Sequence, residues 1–297
     1  MIEPESHFIK PGRLQLHVNT WGDPSAPPVM LLHGMSDHSR GWDWIAQDLL
    51  KDYYLVAPDI RGHGESDWPG ADGYSLGGFL LDIADVMETF DLQRFAFVGH
   101  SLGGALGLRL AAAFPDRVAA LAGVECVTMP IQRDEMLRPT PYPMRMHNWI
   151  GKRQAGYGKH RANYPSLDAA CARMEQAQPL LDRATIKHLV RHGTRREADG
   201  TYSWKHDSHN RDRPPEDQYA HDLFDVLDAV TCPTLLFYGG SDERPVPAPE
   251  VLERVQDLEV TVLEGGCHAL HHQYRKRFTD KIISFLTHNY SERRIDA

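Results

Sequence analysis

The sequence predicts an α/β fold with a mostly parallel central sheet and helices on both faces. Short continuous apolar runs, such as PPVMLLHG, YYLVAPDI and RFAFVGHS, alternate with segments whose apolar residues recur at helical spacing. Strands that are apolar on both faces are typical of parallel sheets covered by helices above and below. The regular alternation of strand and helix indicates βαβ units, and these build one such sheet.

The first third of the chain supplies most of the expected elements. LQLHVNTWG alternates apolar and polar residues and predicts a half-exposed strand, and GWDWIAQDLL predicts a helix between two buried strands. SLGGFLLDIADVMETFDL predicts a second helix, with Ser75 as its N-terminal cap. LGGALGLRLAAAFP predicts a third helix that ends at Pro115, and VAALAGVECV predicts another buried strand.

This alternation breaks down at about residue 128. The segment that follows holds three helical patterns: SLDAACARMEQ, RATIKHLVRHG and EDQYAHDLFDVLDAV. Strand character returns at CPTLLFYGG, and then come a helix (VLERVQDLE), a last strand (EVTVLEGG) and a terminal helix (HHQYRKRFTDKIISFLTHNY). We therefore predict a core formed by residues 1–127 and 227–297, interrupted by an inserted helical cap at 128–226.

Composition narrows the classes of function. Thirty-two Lys and Arg residues against 41 Asp and Glu residues leave a formal charge of -9, and this disfavours nucleic-acid or anionic-membrane partners. The N-terminal residues do not follow the signal-peptide pattern, and no run approaches 18 apolar residues. We expect a cytoplasmic protein with a small-molecule substrate. The sequence allows a homodimer but contains nothing that indicates one.

The cysteines and histidines do not form a ligand pattern in the sequence. The four cysteines show no CxxC spacing, which disfavours both a disulfide framework and a zinc knuckle. The 17 histidines include the run HALHH at 268–272, but no carboxylate or cysteine stands at a spacing that would complete a metal site. We therefore expect neither a metal nor a cofactor.

Ser101 is the candidate nucleophile. The pentapeptide GHSLG, residues 99–103, fits the G-x-S-x-G pattern, follows an apolar strand and precedes a small-residue helix. Three fixed positions arise by chance in roughly one chain in ten of this length, so the pattern needs catalytic partners to support it. A serine hydroxyl becomes a nucleophile only when a base takes its proton and an acid orients that base.

The base and acid candidates also follow predicted strands. His268 comes after the last strand in VTVLEGGCHAL, and Asp242 comes after the strand in LLFYGGSDERPVP. The order Ser101, Asp242, His268 is the order of an α/β-hydrolase triad. Glu125, in AGVECV, also stands at a strand end and is the alternative acid.

An acyl-transfer reaction also needs donors for the oxyanion. The backbone amide of Met35, just after the strand VMLLHG, and that of Leu102, just after the nucleophile, are the predicted donors. His33 also stands at this strand end, where we expect it to form structural hydrogen bonds.

Five motifs, LLHGM, DIRGHGESD, GHSLGGAL, GGSDERPVP and GGCHAL, together resemble the α/β-hydrolase fold superfamily over about residues 28–280. The resemblance implies that the insertion is a cap, and that Arg61 and His63 belong to a structural turn rather than to the catalytic group. YPSLDAACARM and DGTYSWKHD are similar to the serine hydrolase-like proteins. Haloalkane dehalogenases and epoxide hydrolases differ, because they carry an aspartate nucleophile where this chain has Ser101, and commonly a proline where it has Ser36.

These observations predict a serine hydrolase that cleaves an ester, thioester or lactone of a small acyl substrate through an acyl-Ser101 intermediate. A carbon–carbon bond hydrolase with the same triad is one alternative. A non-catalytic ligand-binding protein of the same fold is the other, although a receptor has no need of an aligned base.

Overall fold

The computed structural model describes residues 1–70, 73–127, 140–156, 163–211, 214–218, 221–240 and 245–291. Its strands are β1 (Glu5–Ile9), β2 (Leu16–Trp21), β3 (Pro28–Leu32), β4 (Tyr54–Pro58), β5 (Phe95–His100), β6 (Val118–Val124), β7 (Asn163–Tyr164), β8 (Thr194–Arg196), β9 (Tyr202–Trp204), β10 (Thr234–Tyr238) and β11 (Leu258–Val262). Its α-helices are α1 (Asp43–Leu49), α2 (Leu76–Thr89), α3 (Leu102–Ala113), α4 (Tyr142–Gly156), α5 (Leu167–Ala177), α6 (Arg183–Gly193), α7 (His221–Ala229), α8 (Pro249–Leu252), α9 (Leu270–Gln273) and α10 (Arg275–Leu286).

Eight strands form the central sheet in the order β1-β2-β4-β3-β5-β6-β10-β11. Strand β2 is antiparallel to both β1 and β4, and every later neighbour in this order is parallel. The predicted mostly parallel sheet is confirmed. Its parallel strands all end at one edge, where open α/β sheets bind their ligands.

Alternate side chains of β5 enter two separate apolar layers, because successive residues of a strand point to opposite faces. Phe95 and Phe97 pack with α2 and α3 on one face of the sheet. Ala96 and Val98 pack with α1 and α10 on the other face. Helices therefore cover both faces, and the central strands are buried throughout, as the unbroken apolar runs predicted.

The helix boundaries follow local signals in the sequence. Ser75 caps α2 as predicted, and its hydroxyl accepts a 3.0 Å hydrogen bond from the amide of Gly78. The single terminal helix that we predicted is instead divided into α9 and α10 at Tyr274, whose φ of -113° and ψ of 41° are not helical. The helix predicted at VLERVQDLE is only the single turn α8. No helix in the described ranges combines the length and the apolarity that crossing a membrane requires.

The predicted cap segment contains α4, α5, α6 and a small antiparallel sheet in the order β7-β9-β8. The sequence carries no signal for this sheet, because two- and three-residue strands are too short to show periodicity. The cap helices α5 and α6 contribute Cys171, Ile186 and Val190 to an apolar cluster that also includes Ala269 of the core. Helix α7 instead packs in the layer that contains α3, through Leu223 and Leu227.

Several hydrogen bonds fasten the cap to the core, and three of them involve buried residues beside the site. The Tyr74 hydroxyl donates to an Asp207 carboxylate oxygen at 2.8 Å. The side-chain amide of Asn210 lies 2.8 Å from His63 Nε2, and His38 Nε2 lies 2.9 Å from the carbonyl oxygen of Leu189. The cap is therefore joined to two loops that lie at the carboxyl edge of the sheet.

Gly103 lies where α3 meets the sheet backbone to backbone. A Cβ at Gly103 would overlap the carbonyl oxygen of Leu32, and a Cβ at Gly99 would lie 2.6 Å from the backbone of Gly103. Gly77 holds the same second position in α2, but a Cβ there would meet nothing within 4 Å.

We predict that Gly103→Ala lowers the free energy of unfolding by about 1–3 kcal/mol, because the new methyl group forces α3 away from β3. Gly77→Ala is the matched control, and we expect it to be neutral or to raise stability by up to about 1 kcal/mol. Urea unfolding at equilibrium measures both variants. Equal stability of the two would contradict the close packing described here.

Candidate active site

Ser101 occupies a strained turn between β5 and α3. Its backbone angles are φ 51° and ψ -114°, and it is the residue that precedes the first turn of α3. Its amide donates a 2.8 Å hydrogen bond to the carbonyl oxygen of Val124 at the end of β6. Such a conformation costs a residue other than glycine about 1–3 kcal/mol, so the surrounding packing must stabilise the turn at Ser101. This is the sharp strand-to-helix turn that the G-x-S-x-G pattern predicts.

The predicted oxyanion donors flank Ser101. A Cβ on Gly34 would lie 3.1 Å from the Cβ of Ser101, so the loop that carries Met35 passes directly beside the serine. Leu102 is the first residue of α3. The first four amides of a helix have no acceptor within the helix, and the N-terminal end of the helix dipole favours negative charge.

His268 lies in the loop between β11 and α9. Its Nδ1 atom is 3.9 Å from Oε2 of Glu125, and the side chains of His268 and Glu125 are 24% and 4% exposed. The carbonyl oxygen of His268 accepts a 2.8 Å hydrogen bond from Nε2 of His100, the residue before Ser101. The backbone of this loop is thereby tied to the end of β5.

Glu125, directly after β6, also has a left-handed backbone, with φ 51°. Its Oε1 atom accepts a 2.7 Å hydrogen bond from the amide of Gly239, which follows β10. A Cβ on Gly239 would overlap the carbonyl oxygen of Gly266, so the loop after β10 touches the loop that carries His268. Asp242 lies outside the described residues, but the loop that leads to it starts beside the His268 loop.

The structure places three other residues from the sequence motifs in structural hydrogen bonds. Nε2 of His33 accepts from the amide of Ile60 at 3.1 Å, and its Nδ1 lies 2.8 Å from the carbonyl oxygen of Gly34. Arg61 donates two 2.6 Å hydrogen bonds to the carboxylate of Asp82. His63, through the cap contact described above, is also structural, as the resemblance implied.

His100 is a site residue that the sequence analysis did not single out. It is 6% exposed, and its ring centroid is 4.7 Å from that of His268. Burial first, and the nearby His268 next, lower its pKa to about 3. The ring is therefore neutral at physiological pH. The sequence placed His100 inside the GHSLG motif. The motif allows any residue at this position, so it does not reveal that His100 binds the loop that carries His268.

A serine at a left-handed turn on the carboxyl edge of a mostly parallel sheet defines the class of α/β hydrolases. A protein-family model described as the alpha/beta hydrolase fold matches residues 27–273. The chain belongs to this family, which confirms the resemblance seen in the sequence motifs.

Known proteins extend this comparison. Human serine hydrolase-like protein 2 is 30% identical over 182 residues, which are 61% of this chain and 57% of that protein. An esterase of Mycobacterium tuberculosis is 30% identical over 243 residues, 80% of this chain and 73% of the esterase. The chain covers between 28% and 62% of the length of the first curated relatives that it matches.

Among solved structures, the thioesterase domain from the curacin biosynthetic pathway superimposes with a TM-score of 0.81. The match covers 95% of this chain and 100% of that domain, at 24% sequence identity. Similarity at this level shows a shared fold alone.

Asp59 is the charged centre of the turn beside the site. Burial alone would raise the pKa of its carboxyl group, but the hydrogen bond and charge of His17 outweigh burial and lower it below its ordinary value. His17 Nδ1 lies 2.7 Å from Oδ2, and the amide of Ser39 donates to Oδ1 at 2.7 Å. A group whose pKa is lowered on folding stabilises the fold above its unfolded pKa, and this stabilisation is lost as the pH falls through the lowered value.

We predict that Asp59→Asn lowers the free energy of unfolding at neutral pH by about 3 kcal/mol, because the charge partner of His17 is lost. The variant should also lose less stability than the parent as the pH falls below about 4, since it has no carboxyl group to protonate at this position. Urea unfolding between neutral and acid pH measures both effects. Asp48→Asn, which removes an exposed carboxylate on α1, serves as the control and should match the parent. Parallel pH profiles for parent and Asp59→Asn would contradict the role of Asp59.

Proposed function

We propose that the protein is a serine hydrolase that cleaves an ester, thioester or lactone of a small acyl substrate. The observation that carries this proposal is the left-handed backbone of Ser101 at the β5–α3 turn. A strained residue at a ligand-binding edge is retained where the strain presents a functional group. The esterase of M. tuberculosis, with 30% identity over 80% of this chain, supports ester chemistry.

In the proposed reaction, His268 removes the proton from Ser101 as Oγ attacks the substrate carbonyl carbon. The carbonyl oxygen becomes an oxyanion, which accepts hydrogen bonds from the amides of Met35 and Leu102. When the intermediate collapses, the bond to the leaving group breaks and His268 gives its proton to that group. Water then attacks the acyl-Ser101 ester with His268 again as the base, releasing the acid and restoring the serine.

Two carboxylates have different proposed roles beside His268. Asp242 is the proposed triad acid, which holds the imidazole in its working tautomer and stabilises its protonated form. Glu125 is proposed as a positioning residue, because its 3.9 Å separation from His268 Nδ1 is longer than a hydrogen bond. Its bond to the Gly239 amide instead holds the loop that leads to Asp242.

The cap contacts the loop that carries His268. Ala269, next to His268, packs in the apolar cluster that α5 and α6 form. A substrate that reaches Ser101 therefore meets a site bordered by the cap as well as by the sheet edge. We propose that the cap selects the acyl group, by contact with the part of the substrate that does not react.

We predict that Ser101→Ala lowers kcat on a p-nitrophenyl ester by about 10⁴ to 10⁶-fold, because the reacting hydroxyl is lost. The fold should persist, since alanine keeps the Cβ that the turn already accommodates. A fluorophosphonate probe should label the parent and not the variant, as read by mass spectrometry of the intact chain and its peptides. Ser284→Ala, at an exposed position of α10, is the control and should be labelled like the parent.

The same assay separates the alternatives. If a folded parent is not labelled and no ester is hydrolysed, the ligand-binding alternative is favoured over the serine hydrolase. Labelling at Ser101 without ester turnover would instead favour the carbon–carbon bond hydrolase. A panel of p-nitrophenyl esters of increasing acyl length then defines the preferred acyl group.

We predict that Asp242→Asn lowers kcat by about 10⁴-fold, because an amide favours the wrong imidazole tautomer. Glu125→Gln should lower kcat by about 10–100-fold, the usual cost of losing a group that orients a functional residue. Glu264→Gln, an exposed carboxylate before the His268 loop, is the control and should leave kcat unchanged. The assignment is overturned if Glu125→Gln shows the larger loss and Asp242→Asn stays within a few-fold of the parent.

A further inference from the structure

We propose that Asp37, His100 and His271 form a binding site for a divalent transition-metal ion of the zinc type. The three residues each offer one ligand atom, and these atoms all lie within 4.8 Å of one another. They come from three segments: the loop after β3, the end of β5 and helix α9. We call these three residues the histidine cluster.

His100 supplies an imidazole whose proton position is defined by its neighbour. Its Nε2 donates a proton to the carbonyl oxygen of His268 at 2.8 Å, so the neutral ring carries its lone pair on Nδ1. This Nδ1 is buried and receives no hydrogen bond from the described residues. A Cβ on Gly34 would lie 2.8 Å from it, so the absence of a side chain at Gly34 leaves space beside the nitrogen. A neutral imidazole with one fixed N–H is the form in which histidine binds metals.

His271 supplies the second imidazole. Its side chain is 1% exposed, and its ring centroid is 4.4 Å from that of His100. Within the described chain its buried Nδ1 also makes no hydrogen bond. Burial, and then the neighbouring His272 and His100, hold its pKa well below the ordinary value. Two buried imidazoles thus have ring nitrogens whose hydrogen-bonding capacity the described residues do not use, and such groups call for an explanation.

Asp37 supplies the negative charge of the histidine cluster. Burial alone would raise the pKa of its carboxyl group, but the surrounding histidines, His38 first and His272 next, lower it. The carboxylate is therefore ionised at neutral pH. Asp37 also lines a small cavity together with Ser36, His38 and the cap residue Trp204. Of the three residues in the histidine cluster, Asp37 is the one that lines this cavity.

The donor set indicates the class of metal. Two imidazoles and one carboxylate, with a fourth position left for water, form a common coordination set for Zn²⁺, with bonds of about 2.0–2.2 Å. Ligand atoms on a tetrahedral Zn²⁺ with these bonds lie about 3.3 Å apart. Side-chain rotations that bring the three atoms together by an ångström or so would complete the coordination.

A second group of potential ligands lies beside an arginine, whose positive charge disfavours a metal ion. Asp43, His188 and His192 also place their ligand atoms within 4.8 Å of one another. However, the Asp43 oxygens accept hydrogen bonds of 2.9 and 2.8 Å from Nε of Arg40. The guanidinium would repel a cation, and His188 Nε2 already lies 3.1 Å from Asp43 Oδ2. This group is an ion-pair network, and it provides a matched control.

The proposal differs from our expectation from the sequence that no metal binds. The run HALHH contains one of the ligands, His271, but the carboxylate comes from a loop near the start of the chain. Spacing along the sequence does not reveal a ligand that only the fold brings near. A bound ion would join the loop beside the oxyanion donors, the strand end before Ser101 and the helix after His268.

The experiment uses the full chain without a histidine tag, stripped of metal with EDTA and tested without substrate. We expect calorimetry to show one tight Zn²⁺ site per chain, and Co²⁺ to give the visible absorption of a tetrahedral complex. Zn²⁺ should also raise the melting temperature, because it binds the folded chain alone. His271→Gln and Asp37→Asn should each weaken Zn²⁺ binding by at least tenfold and remove the Co²⁺ spectrum.

His192→Gln is the control, and it should bind Zn²⁺ and Co²⁺ like the parent. The proposal is overturned if the parent binds no stoichiometric Zn²⁺, or if His192→Gln weakens binding while His271→Gln and Asp37→Asn do not. Asp37 is half-buried on a loop, so Asp37→Asn decides the question if His271→Gln fails to fold. If water rather than a metal ion occupies the histidine cluster, the parent will bind no stoichiometric Zn²⁺, and the proposal is then overturned.

Discussion

The left-handed backbone of Ser101 is the constraint on which the rest of the site depends. Strand β5 ends at His100 and α3 begins at Leu102, so Ser101 alone makes the turn between them, with φ 51°. The glycines on either side of the turn let α3 contact β3 and β5 backbone to backbone. The packing of α3 into the apolar layer beneath it offsets the strain at the serine.

Strand β6, the neighbour of β5 in the sheet, is also followed by a residue with positive φ. His100 is in register with Val124, so the residues that follow them, Ser101 and Glu125, leave the sheet side by side with φ 51° each. One turn exposes a hydroxyl, and the other directs a carboxylate to the loop after β10. The contact between Gly239 and Gly266 then brings the third loop to the same place. Three loops converge because parallel strands all end at one edge.

The sequence was sufficient to predict what depends on local patterns. The buried strands, the Ser75 cap and the serine turn each have a signature within a few residues, and each is present in the structure. Strand β1 was missed, because the alternation in ESHFI is short and half-exposed at the sheet edge. The role of His100 was missed for a different reason. It depends on a carbonyl group contributed by a loop from the far end of the chain.

The triad marks the limit of inference from a single sequence. Chain order and strand ends predicted Ser101, Asp242 and His268, and these roles stay predictions that the variants described above test. Spacing alone could not separate Asp242 from Glu125, because both follow buried strands. The hydrogen bond from the Gly239 amide to Glu125 joins residues that are far apart in the chain, so the sequence could not reveal this contact of Glu125.

The packing of Ala269 within the cap has a mechanical consequence. The residue next to His268 belongs to the same apolar cluster as Ile186 and Val190 of the cap. Apolar contact therefore ties the backbone beside His268 to α6. A shift of α6 away from the sheet would expose Ala269 to water, and the loss of apolar burial opposes such a shift.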